Sequence, residues 1–570
     1  MTNKEIISLF RNTAKLAELH GENPFKVRGY NNAIFTLENI GSPLREMSAE
    51  ERKEKTGFGK GMLENLETAM STGGFPSHDE LMQRTPAGVL SMLSIKGVGA
   101  KKIRVLWQEA DIDNLPALEK ACIAGEVAQL KGFASKTEQK ILESIRFLRA
   151  NEGKVFYAHA EAFAKQIIET LDSEFPENET IIVGEFRRQC EVITELTFVH
   201  VTENPKNVSK YLSSIESLEK SESKSGPFVW RGKLIENGLL VSLKFINKTS
   251  LGASLLKETG SESHLMHIGE TGKSLYETTL EFPGLSEIEY YERVGLPFIP
   301  PALRENYLEF EFSKSGSIPE MINYEDLRGP LHNHSSYSDG ADTLETMAVY
   351  AKEQGWEYVG MSDHSKSAFY ANGLDEIRID KQHREIDSLN ERLAPFTIFK
   401  GIESDILQDG SLDYDDSTLA KFDFVVASIH SGLEMDEQKA TERLLTAIKN
   451  PYTTILGHPT GRILLKRKGY PIDHRKIIDA CAEHNVIIEI NANPHRLDLD
   501  WRWINYAIQK GVLLSVNPDA HETAGYHDMH YGIKVAQKAG LSAKQVFNTL
   551  SLNDVKDYFN KRKKGIATVN

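Results

Sequence analysis

A ten-residue stretch, LHNHSSYSDG at 331–340, concentrates groups that can bind a metal ion. His332 and His334 are separated by one residue, so in an extended chain their side chains lie on the same face. Asp339 follows within the same stretch. Neutral imidazole and carboxylate groups are ligands of Zn²⁺, Mn²⁺ and Fe²⁺. The stretch therefore predicts part of a metal centre.

Six more groups of this kind close short apolar stretches further along the chain. A lone histidine at the end of a strand is more often a satisfied core residue than a ligand. That interpretation does not explain six histidines and three carboxylates together, and nine groups are more than one ion needs. Clustered carboxylates would also repel each other without cations between them. We predict two or three divalent ions (Zn, Mn or Fe, with Mg also compatible), held by the first three groups and by His364, Glu403, His430, His458, Asp519 and His521.

The elements that position these groups alternate regularly after residue 326. Short apolar strands alternate with helical stretches, which is typical of a parallel α/β barrel, where the functional groups lie at the carboxyl ends of the strands. The nine ligands should therefore meet at one rim. The predicted strands are YVGMSDH (358–364), TIFKGIES (397–404), FDFVVASIH (422–430), TTILGHP (453–459), VIIEINANP (486–494) and VLLSVNPDAH (512–521).

Three basic residues follow the ligand-bearing strands closely. Arg462, Lys466 and Arg496 are placed to bind a phosphate group. Solvated surface charge is an equally good interpretation of all three, and the sequence leaves both open.

The first 150 residues have the periodicity of short helices, and glycines punctuate them. Two segments, 56–70 and 90–107, share a helix, a Gly-x-Gly turn and a new helix, and 130–145 is a weaker third copy. This helix-hairpin-helix pattern directs free N–H groups toward a DNA phosphate without reading a base. Ordinary helical turns are the alternative. The predicted DNA contacts are Gly57, Gly59, Lys60, Gly97, Gly99, Lys101 and Lys102.

Charge and cysteine content limit the possible partners and compartments. The net charge is −15, and residues 151–325 hold 17 basic and 28 acidic residues, which makes that section a poor general surface for a polyanion. Three cysteines lie far apart, a pattern that favours a reducing cytoplasm. No apolar run is long enough to span a bilayer. We expect a cytoplasmic monomer that binds DNA and no membrane.

The order of ligands after residue 326 resembles that of the PHP (polymerase and histidinol phosphatase) phosphoesterases, which are distorted, seven-stranded, TIM-like barrels. The resemblance implies three metal positions. Glu403 contributes to the first two. The implied sets are His332, His334, Glu403 and Asp519, then Glu403, His430 and His458, then Asp339, His364 and His521.

Residues 1–312 resemble a bacterial X-family DNA polymerase, a family commonly fused to a PHP domain. The matching stretches are NPFKVRGYNNA (23–33), both hairpins, VGEFRR (183–188), ETGSESH (258–264) and GLPFIPPALREN (295–306). The resemblance implies a multidomain chain with an all-α first part, an α+β nucleotidyltransferase-like palm and thumb, and the α/β barrel. The domains are 1–85 (lyase-like, first hairpin), 86–150 (fingers-like, second hairpin), 151–249 (palm), 250–325 (thumb and linker) and 326–570 (PHP).

The polymerase site departs from that family at its metal-binding positions. The carboxylates expected in the palm are replaced at Thr197 and Ser242, only Glu195 remains acidic, and Glu185 occupies a phosphate-binding serine position. Three carboxylates are needed to hold two Mg²⁺ ions against a triphosphate, so we predict a degenerate polymerase site. The family's lyase lysine corresponds to Asn65.

These observations favour a metal-dependent phosphodiesterase of DNA repair. The expected activity is 3′–5′ exonuclease or 3′-end processing by the PHP domain on gapped, 3′-ended or single-stranded DNA. Three alternatives stay open: a surviving gap-filling polymerase, a PHP phosphatase that acts on small molecules, and a DNA-binding scaffold without catalysis. The nine predicted ligands argue against the scaffold.

Overall fold

The structure is a computed structural model that describes residues 1–38, 40, 44–95, 97–314 and 318–569, apart from the side chains of residues 4 and 566–569. The chain divides into two compact units, Met1–Glu152 and Gly153–Asn570. Each unit has hydrophobic cores of its own. The domain boundaries expected from the sequence stay predictions within this division.

The first unit is entirely helical in its regular structure, as the sequence predicts. Helix α3 begins with a Ser48 capping box and ends at Gly57, whose φ of 61° lies in the left-handed region that glycine adopts without strain. The helices of this unit are α1 Asn3–Leu19, α2 Pro24–Glu38, α3 Ala49–Thr56, α4 Lys60–Thr72, α5 Pro76–Gln83, α6 Ala87–Met92, α7 Ala100–Arg104, α8 Leu115–Ala124 and α9 Ser135–Ala150.

The second unit begins with a five-stranded mixed sheet in the predicted palm, of order β2-β4-β7-β6-β5. The stretches TIIVGEFRRQCEVITELTFVHV (180–201) and LLVSLKFI (239–246) predict strands, and β2, β4 and β7 fall on them. The sequence does not predict β5 and β6, because SKSG and neighbouring polar residues mask their period. The elements are β1 Val155–Phe156, α10 Tyr157–Glu174, β2 Glu179–Ile182, α11 Gly184–Arg187, β3 Val192–Ile193, β4 Glu195–Val201, α12 Pro205–Leu212, β5 Leu218–Lys220, β6 Val229–Leu234 and β7 Leu240–Ile246.

Short helices follow the palm sheet and pack around a separate small core that includes Tyr290 and Tyr291. Capping boxes begin two of these helices, at Ser274 and Ser286. The helices are α13 Leu251–Thr259, α14 Glu262–Leu265, α15 Leu275–Glu281, α16 Glu287–Arg293 and α17 Glu309–Lys314.

The last part of the chain forms a curled, parallel, six-stranded sheet, and every strand predicted after residue 358 is present. The strands lie in chain order, β8-β9-β10-β11-β12-β13. They are β8 Tyr358–Met361, β9 Thr397–Asp405, β10 Phe424–Ser428, β11 Ile455–Leu456, β12 Ile487–Asn491 and β13 Leu514–Asn517.

Helices connect and cover these strands, as expected for a parallel sheet buried on both faces. They are α18 Leu344–Glu353, α19 Glu376–Leu393, α20 Asp416–Leu419, α21 Glu437–Lys449, α22 His474–Glu483, α23 Trp501–Gln509, α24 Met529–Lys538 and α25 Leu552–Val569. Within the described ranges, no helix is both long and apolar enough to cross a bilayer.

An extended segment at 330–334 lies where a seventh strand was predicted. The Gly360 N–H donates to the Pro330 carbonyl at 2.8 Å, and the His334 N–H donates to the Ala520 carbonyl at 2.8 Å. The segment thus touches both edges of the sheet, next to β8 and beyond the end of β13. The seventh regular strand itself stays a prediction.

Alternation along the strands separates an inner from an outer face of this sheet. Phe399 and Phe424 point inward, where Phe559 of α25 packs with its ring centroid 5.2 and 5.5 Å from theirs. Gly401 allows this inner packing, because a Cβ there would lie 2.2 Å from Phe424 Cζ. With a period of two, the inward face of β9 continues from Phe399 to Glu403. The strands therefore bring apolar residues to one end and ligands to the other.

Candidate metal centre

All nine predicted ligands meet at the carboxyl ends of the strands of the curled sheet. Glu403 lies on β9, and the other groups lie on the segments that follow the strands or on the 330–340 stretch. Six of the side chains line a cavity of about 280 Å³. Those six are Asp339, His364, Glu403, His430, Asp519 and His521.

Glu403 is the centre of the cluster and is 1% exposed. Its Oε1 lies 3.1 Å from His458 Nε2, 3.2 Å from His430 Nε2 and 3.3 Å from His332 Nε2. Its Oε2 lies 3.0 Å from His364 Nδ1. One carboxylate therefore faces four imidazoles, as a bridging ligand would.

Two aspartates occupy the opposite side of the cluster. Asp519 Oδ1 lies 3.1 Å from His334 Nε2, and Asp339 Oδ1 lies 3.4 Å from His521 Nε2. The backbone of Asp519 has a φ of 55°, an uncommon left-handed conformation for a residue other than glycine. Such conformations concentrate at functional sites.

The donor atoms form three groups that are compact enough to hold a cation. They differ from the implied sets, because His334 and His364 each belong to two groups and His458 belongs to none. The groups are His334, Asp339, His364 and His521, then His332, His334 and Asp519, then His364, Glu403 and His430.

Buried donor atoms without a hydrogen bond show that these residues fit a metal. His364 Nδ1 and Glu403 Oε2 are only 3.0 Å apart, yet neither has a hydrogen-bond partner among the described residues. His332 Nε2 and His334 Nδ1 share this condition. Leaving buried polar atoms unpaired costs free energy, and a cation bound between them would remove that cost. The imidazole and carboxylate donors suit a divalent transition metal.

Two outer carboxylates orient the ligands, and sequence reasoning missed both. Glu489 Oε1 lies 2.7 Å from His332 Nδ1, and Asp405 Oδ1 lies 2.5 Å from His430 Nδ1. Each carboxylate fixes which ring nitrogen faces the cavity. A signal was present for Glu489, because a charged residue inside the apolar strand IIEIN is rarely buried without a partner.

Burial disfavours the charged form of each ionisable side chain in the cluster, so neighbouring groups decide which side chains are charged. For Glu403 and Asp519, nearby histidines outweigh burial and hold the pKa of both carboxyl groups well below the usual range. Burial and two adjacent imidazoles lower the pKa of His334 to about 3. The carboxylates are therefore ionised and His334 is neutral at neutral pH, which are the forms that bind metal.

Metal binding should release protons, because three ligand rings, those of His332, His430 and His521, carry raised pKa values. Burial lowers the pKa of a histidine, but adjacent carboxylates outweigh burial here and raise the pKa of His430 to about 10 and that of His521 to about 9. A protonated ring must lose its proton before it binds a cation. Apparent affinity for Mn²⁺ should rise with pH up to about 10, by about tenfold per unit for each displaced proton. Calorimetric titration in two buffers of different ionisation enthalpy measures the release. Affinity that is constant with pH would contradict this expectation.

Of the three predicted phosphate-binding residues, only Arg496 lines the cavity. Lys466 is exposed and does not line the cavity. In the turn that pairs Ile463 with Arg467, the side chain of Arg467 lines the cavity instead. Arg462 is bound to Glu191 and, at 2.6 Å, to Asp500. The contacts of Arg462 therefore support an ion pair between palm and barrel, and Arg467 is a cavity residue that the sequence did not identify.

In the helical unit, the predicted hairpins place their glycines at helix ends. Gly59 and Gly99 are the N-caps of α4 and α7, and neither has a side-chain cap. Gly57 and Gly97 have φ values of 61° and 80°. Lys60 and Lys101 are largely exposed, whereas Lys102 Nζ lies 5.5 Å from the centre of the Phe133 ring.

The predicted polymerase positions lie side by side in the palm. Thr197 on β4 pairs with Ser242 on β7, and their hydroxyl oxygens are 3.5 Å apart. Glu185 Oε2 accepts hydrogen bonds from the Thr194 N–H at 2.6 Å and hydroxyl at 2.8 Å. Among the described residues, all three donor groups compact enough for a cation lie in the barrel.

Comparison with known proteins agrees with this architecture. Residues 1–75 match the helix-hairpin-helix domain, 89–146 the SAM-like helix-hairpin-helix tandem and 330–493 the PHP domain. A probable phosphatase of Thermoanaerobacter sp. (strain X514) is 30% identical over 41% of this chain and 96% of that protein.

A second relative covers almost the whole chain. It is the DNA polymerase/3′-5′ exonuclease PolX of Bacillus subtilis (strain 168), 34% identical over 98% of this chain and 99% of that protein. The chain therefore belongs to the bacterial X-family DNA polymerases (PolX) that carry a C-terminal PHP domain.

Proposed function

We propose that this protein is a metal-dependent phosphodiesterase of DNA repair that degrades or trims DNA from 3′ ends in its PHP domain. The observation that carries the proposal is the convergence of six histidines and three carboxylates at one end of the sheet, where six of these groups and two arginines line one cavity. The name of the Bacillus subtilis relative, which includes 3′-5′ exonuclease, supports the same reaction class.

The nine ligand residues would hold two or three divalent ions, of which Zn, Mn and Fe suit the donors best. Such ions, when bound, activate water and neutralise phosphoryl oxygens. Arg467 and Arg496 would bind the phosphate of the scissile ester at the cavity wall. Arg496 Nε lies 3.7 Å from Asp519 Oδ2, so the guanidinium is held next to the ligands.

The palm would act as a scaffold, since the carboxylates expected there are replaced and the two arginines of its VGEFRR stretch are paired with carboxylates. Arg187 donates to Glu287 Oε2 at 2.7 Å, and Arg188 Nε donates to Glu305 Oε1 at 3.0 Å. Although burial opposes it, Lys538 and Arg188 lower the pKa of Glu305 to about 2, so this partner stays ionised. Glu185 adds negative charge where the family binds phosphate.

DNA binding would be the role of the hairpins in the helical unit. We expect Gly59→Val combined with Gly99→Val to raise the Kd for DNA about tenfold, a cost of about 1.4 kcal/mol. A Cβ at either glycine has nothing within 4 Å, so the chain should fold, but the added side chains would obstruct a phosphate approaching the helix ends. Fluorescence anisotropy with labelled DNA measures the change.

Gly284→Val is the matched control, because a Cβ at Gly284 also has nothing within 4 Å. Hydrolysis of a small chromogenic phosphate should be unchanged in both variants. If the hairpin variant binds DNA as tightly as the parent, the hairpins are not the DNA-binding element.

A small-molecule phosphatase is the second candidate function, favoured by the relatives of the barrel region that are named probable phosphatases. Competition separates the two candidates. If DNA is the substrate, single-stranded DNA should inhibit hydrolysis of p-nitrophenyl phosphate competitively. Unaffected hydrolysis at saturating DNA, together with no release of nucleotides from 3′-labelled DNA, would favour the phosphatase.

A further inference from the structure

Two adjacent aromatic side chains stand exposed in a loop that contributes Tyr370 to the wall of the metal cavity. Phe369 is 88% exposed and Tyr370 is 69% exposed, in the 3-10 turn Phe369–Ala371 that follows β8. Exposed aromatic pairs of this kind mark interaction sites more often than isolated apolar residues do. No catalytic or ligand role described above uses either ring.

The loop that carries these rings is firmly anchored. The Ser367 N–H donates to Asp413 Oδ2 at 2.6 Å, and Arg378 donates to the Asn372 carbonyl at 2.8 Å. Gly373 lies so close to Ser365 that a Cβ would sit 1.8 Å from its carbonyl oxygen. The exposure of the rings is therefore a fixed feature of the fold.

One carboxylate connects this loop to the metal cluster. Asp405 Oδ2 accepts a hydrogen bond from the Ser367 hydroxyl at 3.0 Å, while its Oδ1 lies 2.5 Å from His430 Nδ1. Tyr370 lines the same cavity as the ligands, and its ring centroid lies 6.2 Å from that of His364. The Tyr370 ring is thus positioned relative to the metal cluster, and Phe369 precedes it in the same anchored turn.

The surroundings of the rings favour one kind of occupant. Arg467 and Arg496 provide positive charge for a phosphate in the same cavity that the aromatic ring of Tyr370 lines. A nucleotide combines these two features, a charged phosphate next to an aromatic base. Stacking of a base on an aromatic side chain is favourable for every base, so it suits an enzyme that removes nucleotides of any sequence.

We propose that Phe369 and Tyr370 form a stacking platform for the base of the 3′-terminal nucleotide while its phosphodiester occupies the metal cavity. This inference rests on the proposed function and deepens it. The platform would recognise the base of the departing nucleotide in addition to its phosphate. Recognition of the base would distinguish a DNA 3′ end from a small phosphate ester.

The test combines deletion of the rings with deletion of the base. Two single-stranded oligonucleotides are compared, one with a normal 3′-terminal nucleotide and one with a tetrahydrofuran abasic residue in its place. The parent should show a kcat/KM about 5- to 100-fold higher for the normal end, the effect of one base–aromatic stack. Phe369→Ala combined with Tyr370→Ala should reduce that ratio to near one, by slowing only the normal substrate.

Two controls make the result specific to the platform. Tyr370→Phe keeps the ring and should keep the ratio, and Phe228→Ala removes another exposed ring, 73% exposed on the palm, and should change nothing. Thermal unfolding should be unchanged, because both platform side chains are exposed. A parent that cleaves both ends equally, or a double variant that keeps the parent's ratio, would overturn the platform alone. A parent that hydrolyses neither oligonucleotide would overturn the proposed function together with it.

Discussion

Replacing His334 by alanine should lower the rate of DNA hydrolysis by more than about 100-fold, because even the outer partners of metal ligands contribute about 10- to 100-fold. His334 is fully buried and belongs to two of the three donor groups. Its Nε2 lies 3.1 Å from Asp519 Oδ1. Loss of this imidazole removes a donor from two neighbouring positions at once. The measurement is the rate of nucleotide release from 3′-labelled DNA.

DNA binding by the same variant should change less than about twofold, since the hairpins lie in the other unit. His383→Ala is the matched control, a histidine of the same domain whose ring packs 5.1 Å from Phe422 and belongs to no donor group among the described residues. It should degrade DNA like the parent. A His334→Ala protein that degrades DNA at the parental rate would exclude the assigned site.

Nucleotide addition by the parent chain should be at least about 100-fold slower than by the Bacillus subtilis relative, with either Mg²⁺ or Mn²⁺, as expected when electrostatic groups of an active site are missing. Thr197 and Ser242 offer hydroxyl groups where carboxylates are needed, and Glu195 alone cannot hold two ions. Their hydroxyl oxygens are 3.5 Å apart, and no donor group compact enough for a cation lies in the palm among the described residues.

Extension of a primer across a short gap measures this activity, with Glu195→Ala as the informative variant. Residual extension should be the same in Glu195→Ala as in the parent. The control is Glu203→Ala, which changes an exposed glutamate that follows β4 and should also leave extension unchanged. Efficient gap filling that Glu195→Ala abolishes and Glu203→Ala does not would show that the palm is active.

The strands of the barrel could be predicted from sequence because each is a short apolar run between helical stretches, and parallel strands buried on both faces have that pattern. The same rule placed the ligands, since residues such as Glu403 and His430 directly close those runs. The confirmed elements are therefore those whose signal is local. β5 and β6 lack such a signal, because polar residues interrupt their alternation.

The side-chain pairings around the site depend on contacts between distant segments, and these were not predictable. Nothing local to Arg462 indicates that it meets Glu191, which is 271 residues away. The conformation of the turn at 463–467 determines that Arg467, and not Lys466, lines the cavity. Tyr370 carries no local signal for its place at the entrance, which depends on the anchors of its loop.

The most direct test of the account is the divalent metal content of the purified chain, measured together with its hydrolysis of 3′-labelled DNA. We expect two or three ions per chain in the parent, loss of ions and of hydrolysis together in His334→Ala, and recovery of hydrolysis when a chelator-treated parent is refilled with Mn²⁺ or Zn²⁺. A parent that binds no divalent ion under any condition, or one that degrades DNA equally well after complete removal of metal, would contradict it.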